Sequence, residues 1–118
     1  MMEVAIYKAH YFVLSNRRVP VRDFIDSLDI TAQRKFFYKI ELLEEFGKRL
    51  PEPHAKLLGD GIYELRFEDQ AGAIRILYFF FIGNKIILTN AFRKKRQKAP
   101  IKEIELARQR RNRYIEKR

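Results

Sequence analysis

Cysteine is absent from the 118 residues, and with it go disulfides, thiolate nucleophiles and cysteine-based zinc sites. The absence fits a reducing cytosol. Histidine occurs only twice, and His10 and His54 lie too far apart to show metal-ligand spacing; each reads as a surface or loop residue. The only serines, Ser15 and Ser27, sit in no nucleophile-elbow pattern. The glycines are scattered as Gly47, Gly59, Gly61, Gly72 and Gly83, so no phosphate-cradling loop exists. Gly at 5 and Pro at 4 are sparse, which predicts that most of the chain is regular structure. No linker-like stretch, repeat or low-complexity tract divides the chain, and one domain over residues 1–118 is expected. The longest unbroken apolar run, Ile76 to Ile82, is too short to span a bilayer as a helix. The start, Met1 to Lys8, lacks a basic segment followed by an apolar one, so no secretion signal is read there. A cytoplasmic protein with no membrane partner, no metal and no small-molecule cofactor is the expectation.

What the sequence does hold is an apolar share of 47% and a net charge of +10. Residues 93–118 carry 12 Lys/Arg against 3 Glu, whereas residues 1–92 carry 13 Lys/Arg against 12 Asp/Glu. The excess is therefore almost wholly in the last 26 residues. A concentrated basic patch is the electrostatic footprint of a polyanion-binding protein, although a solvated helix face has the same composition.

Hydrophobic periodicity orders the elements. Val4 and Ile6 alternate with Ala5 and Tyr7, and Tyr11 to Leu14 follows, giving an early strand. Pro20 suits a first helical turn, with Val21, Phe24, Ile25 and Leu28 at helical spacing. Asp29 or Thr31 caps a second helix carrying Phe36, Ile40 and Leu43 on one line, and Gly47 stops it. Beyond Pro53 the period changes to two. Ile62–Glu68 and Ala73–Ile82 read as strands, the Gly83-Asn84 turn follows, and Lys85–Phe92 completes a three-stranded meander. Pro100 opens a last, basic helix. This order predicts an α+β fold: an antiparallel-rich twisted sheet of about four strands, with a helical hairpin on one face. The strand Ile76–Ile82 is apolar on both faces, so a second cover, the terminal helix or a partner, is expected.

Two arginines occupy costly places. Arg75 stands between Ile74 and Ile76, and Arg66 between Leu65 and Phe67. A charge on an apolar strand is either ion-paired, here with Glu64, Glu68 or Asp69, or faces a cleft. In the second reading the pair forms a cationic floor for a scissile phosphate. Arg93, Lys94, Lys95, Arg96 and Lys98 follow the last strand and would form one rim of such a cleft.

Three ordered motifs, Lys56-Leu57-Leu58-Gly59-Asp60-Gly61-Ile62-Tyr63-Glu64-Leu65-Arg66, Ile74-Arg75-Ile76-Leu77-Tyr78 and Phe92-Arg93-Lys94-Lys95 through Gln97-Lys98-Ala99-Pro100, resemble the phage-derived branch of HigB-type toxins in the RelE/ParE superfamily. Asp23 to Leu28 fits that family's first helix, and the likeness covers about residues 20–110. The resemblance implies a RelE-like fold, metal-free cleavage of mRNA on the ribosome and neutralisation by a cognate helix-turn-helix antitoxin. It also implies that Arg75 acts at the scissile phosphate, that Arg66 is a basic partner, and that Lys94 and Lys95 mark the cationic end of the last strand. Glu52, in Pro51-Glu52-Pro53, resembles a general base of a related toxin group. The C-terminal histidine that some relatives use as general acid is missing here.

RNA brings its own nucleophile, the 2′-hydroxyl. Arg75 and Arg66 suit charge stabilisation, because a guanidinium binds phosphate oxygens as a fork and stays charged. Glu52, Glu64, or a lysine of the Lys94–Lys95 pair could take the proton. Lys102, Arg108 and Arg111 of the last helix would grip ribosomal or messenger RNA phosphates, or dock an acidic antitoxin segment. Three other readings stand beside this one: a gyrase-inhibiting toxin of the same superfamily, a non-catalytic nucleic-acid-binding phage-related protein, and a ribosome-associated structural protein.

Overall fold

The computed structural model describes residues 6–95 and 100–117. In order, the elements are β1 (Lys8–Tyr11), α1 (Pro20–Asp26), α2 (Ile30–Phe46), a 3₁₀ turn (Gly47–Arg49), β2 (Ala55–Gly59), β3 (Ile62–Asp69), β4 (Gly72–Phe81), β5 (Lys85–Arg93) and α3 (Ile101–Glu116). All strands join one sheet in the order β1-β5-β4-β3-β2. Strands β2 to β5 form an antiparallel meander, and β1 runs parallel to β5. The expectation of about four strands in an antiparallel-rich sheet is thereby corrected: the sheet has five strands and is mixed, within a broadly α+β architecture. The overlooked strand is β2. Its residues alternate poorly in burial because it is the sheet's edge. The strand expected from Val4 falls partly outside the described residues.

The helices form where the local chemistry allows. Pro20 occupies the first turn of α1, where its missing N–H costs nothing, and Val21 and Ile25 turn inward. The Asp29 carboxylate accepts from the Ala32 N–H at 2.8 Å and starts α2. Gly47 ends α2 at φ 55, and a Cβ there would lie 2.0 Å from the Tyr7 ring, so only glycine fits. The same helix end protects the outer edge of β1. Glu44 accepts from the Tyr7 N–H through its carbonyl at 3.1 Å and from the Ala9 N–H through Oε2 at 2.8 Å, leaving those donors unavailable to another strand.

Alternation along β3, β4 and β5 makes two cores. On one face α1 and α2 cover Leu65, Phe67, Ile74, Ile76 and Tyr78 with Ile25, Phe36 and Leu43. On the other, α3 sets Ala107 against Phe12, Ile62, Leu77, Phe79 and Ile87. The doubly apolar strand thus finds its second cover in α3. Among the described residues no helix is long and apolar enough to cross a membrane.

Candidate active site

Antiparallel register sets Arg66 of β3 directly opposite Arg75 of β4, and directly opposed residues share a face. Both project away from the helical hairpin, on the face that α3 covers only in part. Two facing guanidiniums repel unless an anion lies between them, and Glu64 is that anion. Arg66 Nε donates to Glu64 Oε1 at 3.0 Å, and Arg75 Nε lies 3.6 Å from the same oxygen. The second contact is an ion pair too long to be a hydrogen bond. Arg75 also donates through NH1 to the Ile74 carbonyl at 3.0 Å, which fixes its plane. Glu64 is 1% exposed, so its charge depends on these partners. Its Oε2 and the Arg75 Nε have no hydrogen-bond partner among the described residues.

The rim is built from three further segments. Glu52 is exposed in the loop before β2 and brings Oε1 to 3.4 Å from Arg66 NH1. The Arg66 N–H donates to the His54 carbonyl at 2.9 Å, and His54 Nδ1 sits 2.8 Å from Lys39 Nζ on α2. These contacts tie that loop to the sheet and the hairpin. Burial, then the neighbouring Lys39 charge, holds His54 below the usual imidazole range. Lys94 extends the ladder past β5, its N–H donating to the Ala73 carbonyl at 2.9 Å. Burial lowers the affinity of its amine for a proton; Glu64 opposes this, while Arg75, Arg66 and Lys56 add to it. Lys56 is opposite Glu64 in the β2–β3 register. Four cations, Lys56, Arg66, Arg75 and Lys94, therefore surround the two carboxylates Glu64 and Glu52.

The ion-pair reading and the cleft reading of Arg75 thus meet in one place. A carboxylate partner exists, but it is shared between two guanidiniums, and the cluster keeps positive charge to spare. Arg66, Arg75, Glu64, Lys94 and Glu52 are brought together. Other residues named from the sequence stand apart. Arg93 forms a two-pronged pair with Asp69, 2.6 Å on each prong, which pulls the Asp69 carboxyl down to about 2. Arg108 pairs with Glu105 and reaches Asp60 at 3.1 Å, and Arg111 binds Asp60 at 2.9 Å. Lys95 and Lys102 are exposed. Arg96 and Lys98 lie outside the described residues.

Sequence reasoning passed over Lys56 and Asn90. Lys56 could be found only with β2 in place. Asn90 is 3% exposed and donates to the Glu103 carbonyl at 3.2 Å and to Glu103 Oε1 at 2.9 Å, while accepting from Thr89 Oγ1 at 2.6 Å. It bolts the first turn of α3 to β5, the strand that leads into Lys94. An amide in a strand of Ile, Leu and Phe was the available signal. Among the described residues no group of three or more His, Cys, Asp or Glu could hold a metal ion.

Fold and site together define a small basic α+β protein whose mixed sheet ends, on one face, in guanidinium and ammonium groups gathered round a buried carboxylate. The chain belongs to the Gp49-like family of phage-derived proteins: the family model described as phage derived protein Gp49-like (DUF891) matches residues 23–112. That span contains every residue of the cluster. No curated protein matches the chain.

Proposed function

We propose that the chain is the toxin of a toxin–antitoxin module, a cytoplasmic endoribonuclease that cuts mRNA on the ribosome by attack of the RNA's own 2′-hydroxyl. The observation that carries this reading is the pair Arg66–Arg75, held side by side over buried Glu64 with Lys94 alongside. Membership in a phage-derived family supports it, as does the resemblance of the three motifs to HigB-type toxins.

The chemistry needs four things: an aligned 2′-oxygen, a base for its proton, positive charge for the phosphorane and an acid for the leaving 5′-oxygen. The 2′-oxygen forms a bond to phosphorus and the 5′-oxygen–phosphorus bond breaks, leaving a 2′,3′-cyclic phosphate and a 5′-hydroxyl. Arg75 and Arg66 stabilise the phosphorane charge in water-poor surroundings, where fixed donors act most strongly. Glu64 is too buried to reach substrate and is a positioning residue that sets both guanidiniums. Glu52, exposed at the rim, accepts the 2′-proton. Lys94, whose ammonium releases its proton more readily than an ordinary lysine, supplies the proton to the 5′-oxygen. No metal enters these steps. Lys56 in the cluster, together with Arg93, Lys95, Arg96 and Lys98 of the basic run and Lys102, Arg108 and Arg111 of α3, contributes attraction for messenger and ribosomal RNA. A cognate helix-turn-helix antitoxin, acidic where it meets these groups, holds the toxin inactive.

Expression of the wild-type chain alone should arrest growth and leave cellular mRNAs with new 5′-hydroxyl ends. Arg75→Ala should grow normally, and Arg75→Lys, which keeps the charge but loses the fork, should be intermediate. Arrest by Arg75→Ala equal to wild type, or arrest with DNA-damage signalling and intact mRNA, would contradict the proposal.

A further inference from the structure

Glu52 rides on a turn over residues 51–54, and the far end of that turn touches the helical hairpin. There His54 Nδ1 lies 2.8 Å from Lys39 Nζ on α2. We propose that Lys39 and His54 are positioning residues: their hydrogen bond anchors the turn, holds Glu52 beside Arg66, and exists only while the His54 ring is neutral. The role given to Glu52 rests on the RNA-cutting reading above. The anchor itself rests on contacts that involve no RNA.

The turn has few ties of its own. Pro51 and Pro53 bring no backbone N–H. Two bonds form inside it, from the His54 and Ala55 N–H groups to the Pro51 carbonyl at 3.0 and 3.1 Å. These fix its shape rather than its place. Leu50 before it and Ala55 after it are buried, which sets the two ends. Between them the Glu52 side chain is 63% exposed, and its oxygen stands 3.4 Å from Arg66 NH1. An exposed ion pair of that length orders its partners weakly. Placement therefore falls to His54, which is held from two directions. Its carbonyl accepts from the Arg66 N–H at 2.9 Å, and its ring meets Lys39. One tie runs to β3 and the other to α2, so the turn is pinned between sheet and hairpin.

An ammonium has donors and no acceptor, so Lys39 donates and Nδ1 presents its lone pair. His54 is then the neutral tautomer that carries its proton on Nε2. Protonated at both nitrogens, the ring would turn an N–H toward the ammonium, and the bond would become a repulsion. The charges around His54 are few. From α2 it faces Lys39, while Lys35, one turn earlier, donates to the Glu68 carbonyl at 3.0 Å. From β3 Arg66 meets it through the backbone N–H, and in its own turn the Glu52 carboxylate is directed to Arg66. Burial, then Lys39, lowers the His54 pKa from 6.5. Burial likewise makes Lys39 an easier proton donor than an ordinary lysine. The anchor is intact at neutral pH and is lost as pH falls below the ordinary imidazole range.

The test is single-turnover cleavage of one mRNA on preformed ribosome complexes at several pH values, with NMR of the free full chain beside it. Wild-type cleavage should fall on the acid side with a midpoint below 6.5, the ordinary imidazole value. His54→Asn offers Lys39 an acceptor that does not titrate. It should keep most of the neutral rate and hold it to about pH 5, since only carboxylates of about 4.3 then remain to protonate. Lys39→Met keeps the helix and the stem but loses the donor, and should slow neutral cleavage by roughly 10- to 100-fold. In a Glu52→Gln chain the same Lys39→Met should cost little more, because the group it positions is already gone. Full neutral activity in Lys39→Met, an equal loss with and without Glu52, or an acid limb that persists in His54→Asn overturns the anchor. A wild-type chain that cuts no mRNA sinks the cleavage reading, and NMR then decides the anchor. A proton on His54 Nε2, with a pKa that rises in Lys39→Met, upholds it; a proton on Nδ1 at neutral pH overturns it, whether or not mRNA is cut.

Discussion

The two faces of the sheet are made from the same three strands and put to opposite uses. Toward α1 and α2 the buried residues Leu65, Phe67, Ile74, Ile76 and Tyr78 of β3 and β4 are apolar. Toward α3 the apolar residues Ile62, Leu77 and Phe79 give way, a few positions along the same strands, to Glu64, Arg66 and Arg75. A buried ionic cluster is a poor source of stability, since desolvation offsets most of its Coulomb gain. The comparison teaches that stability is concentrated on the hairpin face, which leaves the other face free to hold charges in fixed, partly dry positions.

The largest expected effect tests the stabilising face. Phe36→Ala removes a ring from the hairpin core and should cost about 3–5 kcal/mol in denaturant melts, while whatever remains folded cuts RNA at the wild-type rate. On the other face the balance should reverse. Arg66→Ala should slow cleavage by roughly 100- to 1000-fold and yet melt cooperatively with its circular dichroism unchanged, Glu64 retaining Arg75. Asn90→Ala lies between the two, because it frees Glu103 at the root of α3. Its loss should cost about 1–3 kcal/mol, read as earlier hydrogen exchange in α3 than in α2.

Two pH experiments have smaller effects. If Lys94 is the acid, the alkaline limb of the cleavage profile should fall below the ordinary lysine range near 10.4, since burial lowers its pKa. Lys94→Arg should abolish that limb. For Asp69 the sign runs the other way. Its folded carboxyl sits near 2 against an ordinary 3.8 because Arg93 donates to both oxygens. The stability it contributes is therefore complete above 3.8 and lost as pH falls toward 2. Asp69→Asn should lower the melting temperature at neutral pH, where that contribution is complete, and its difference from wild type should shrink as pH falls from 3.8 toward 2.

Much of this division was legible in the amino-acid order. Arg75 between two isoleucines is conspicuous because β4 is otherwise apolar on both faces, and the start of α2 at Asp29 and its stop at Gly47 are local signals. What could not be read was pairing. β2 is short, half exposed and hemmed by Pro53 and Gly59, so no alternation marks it; with it went Lys56. The parallel union of β1 and β5 depends on where the helical hairpin carries the chain, a tertiary matter that Lys8–Tyr11 cannot encode. Likewise Glu64, Glu68 and Asp69 are equal candidates in sequence. Only the folded chain allots Asp69 to Arg93 and Glu64 to the two strand arginines.

The central claim is tested most directly by one reconstituted translation reaction on a single mRNA, with wild type and Arg75→Ala compared at equal concentration and the new ends chemically identified. Wild type should cleave rapidly to 2′,3′-cyclic phosphate and 5′-hydroxyl ends, and the variant should be slower by roughly 100-fold or more. Equal cleavage by both proteins, or wild-type products bearing 5′-phosphates, would contradict it.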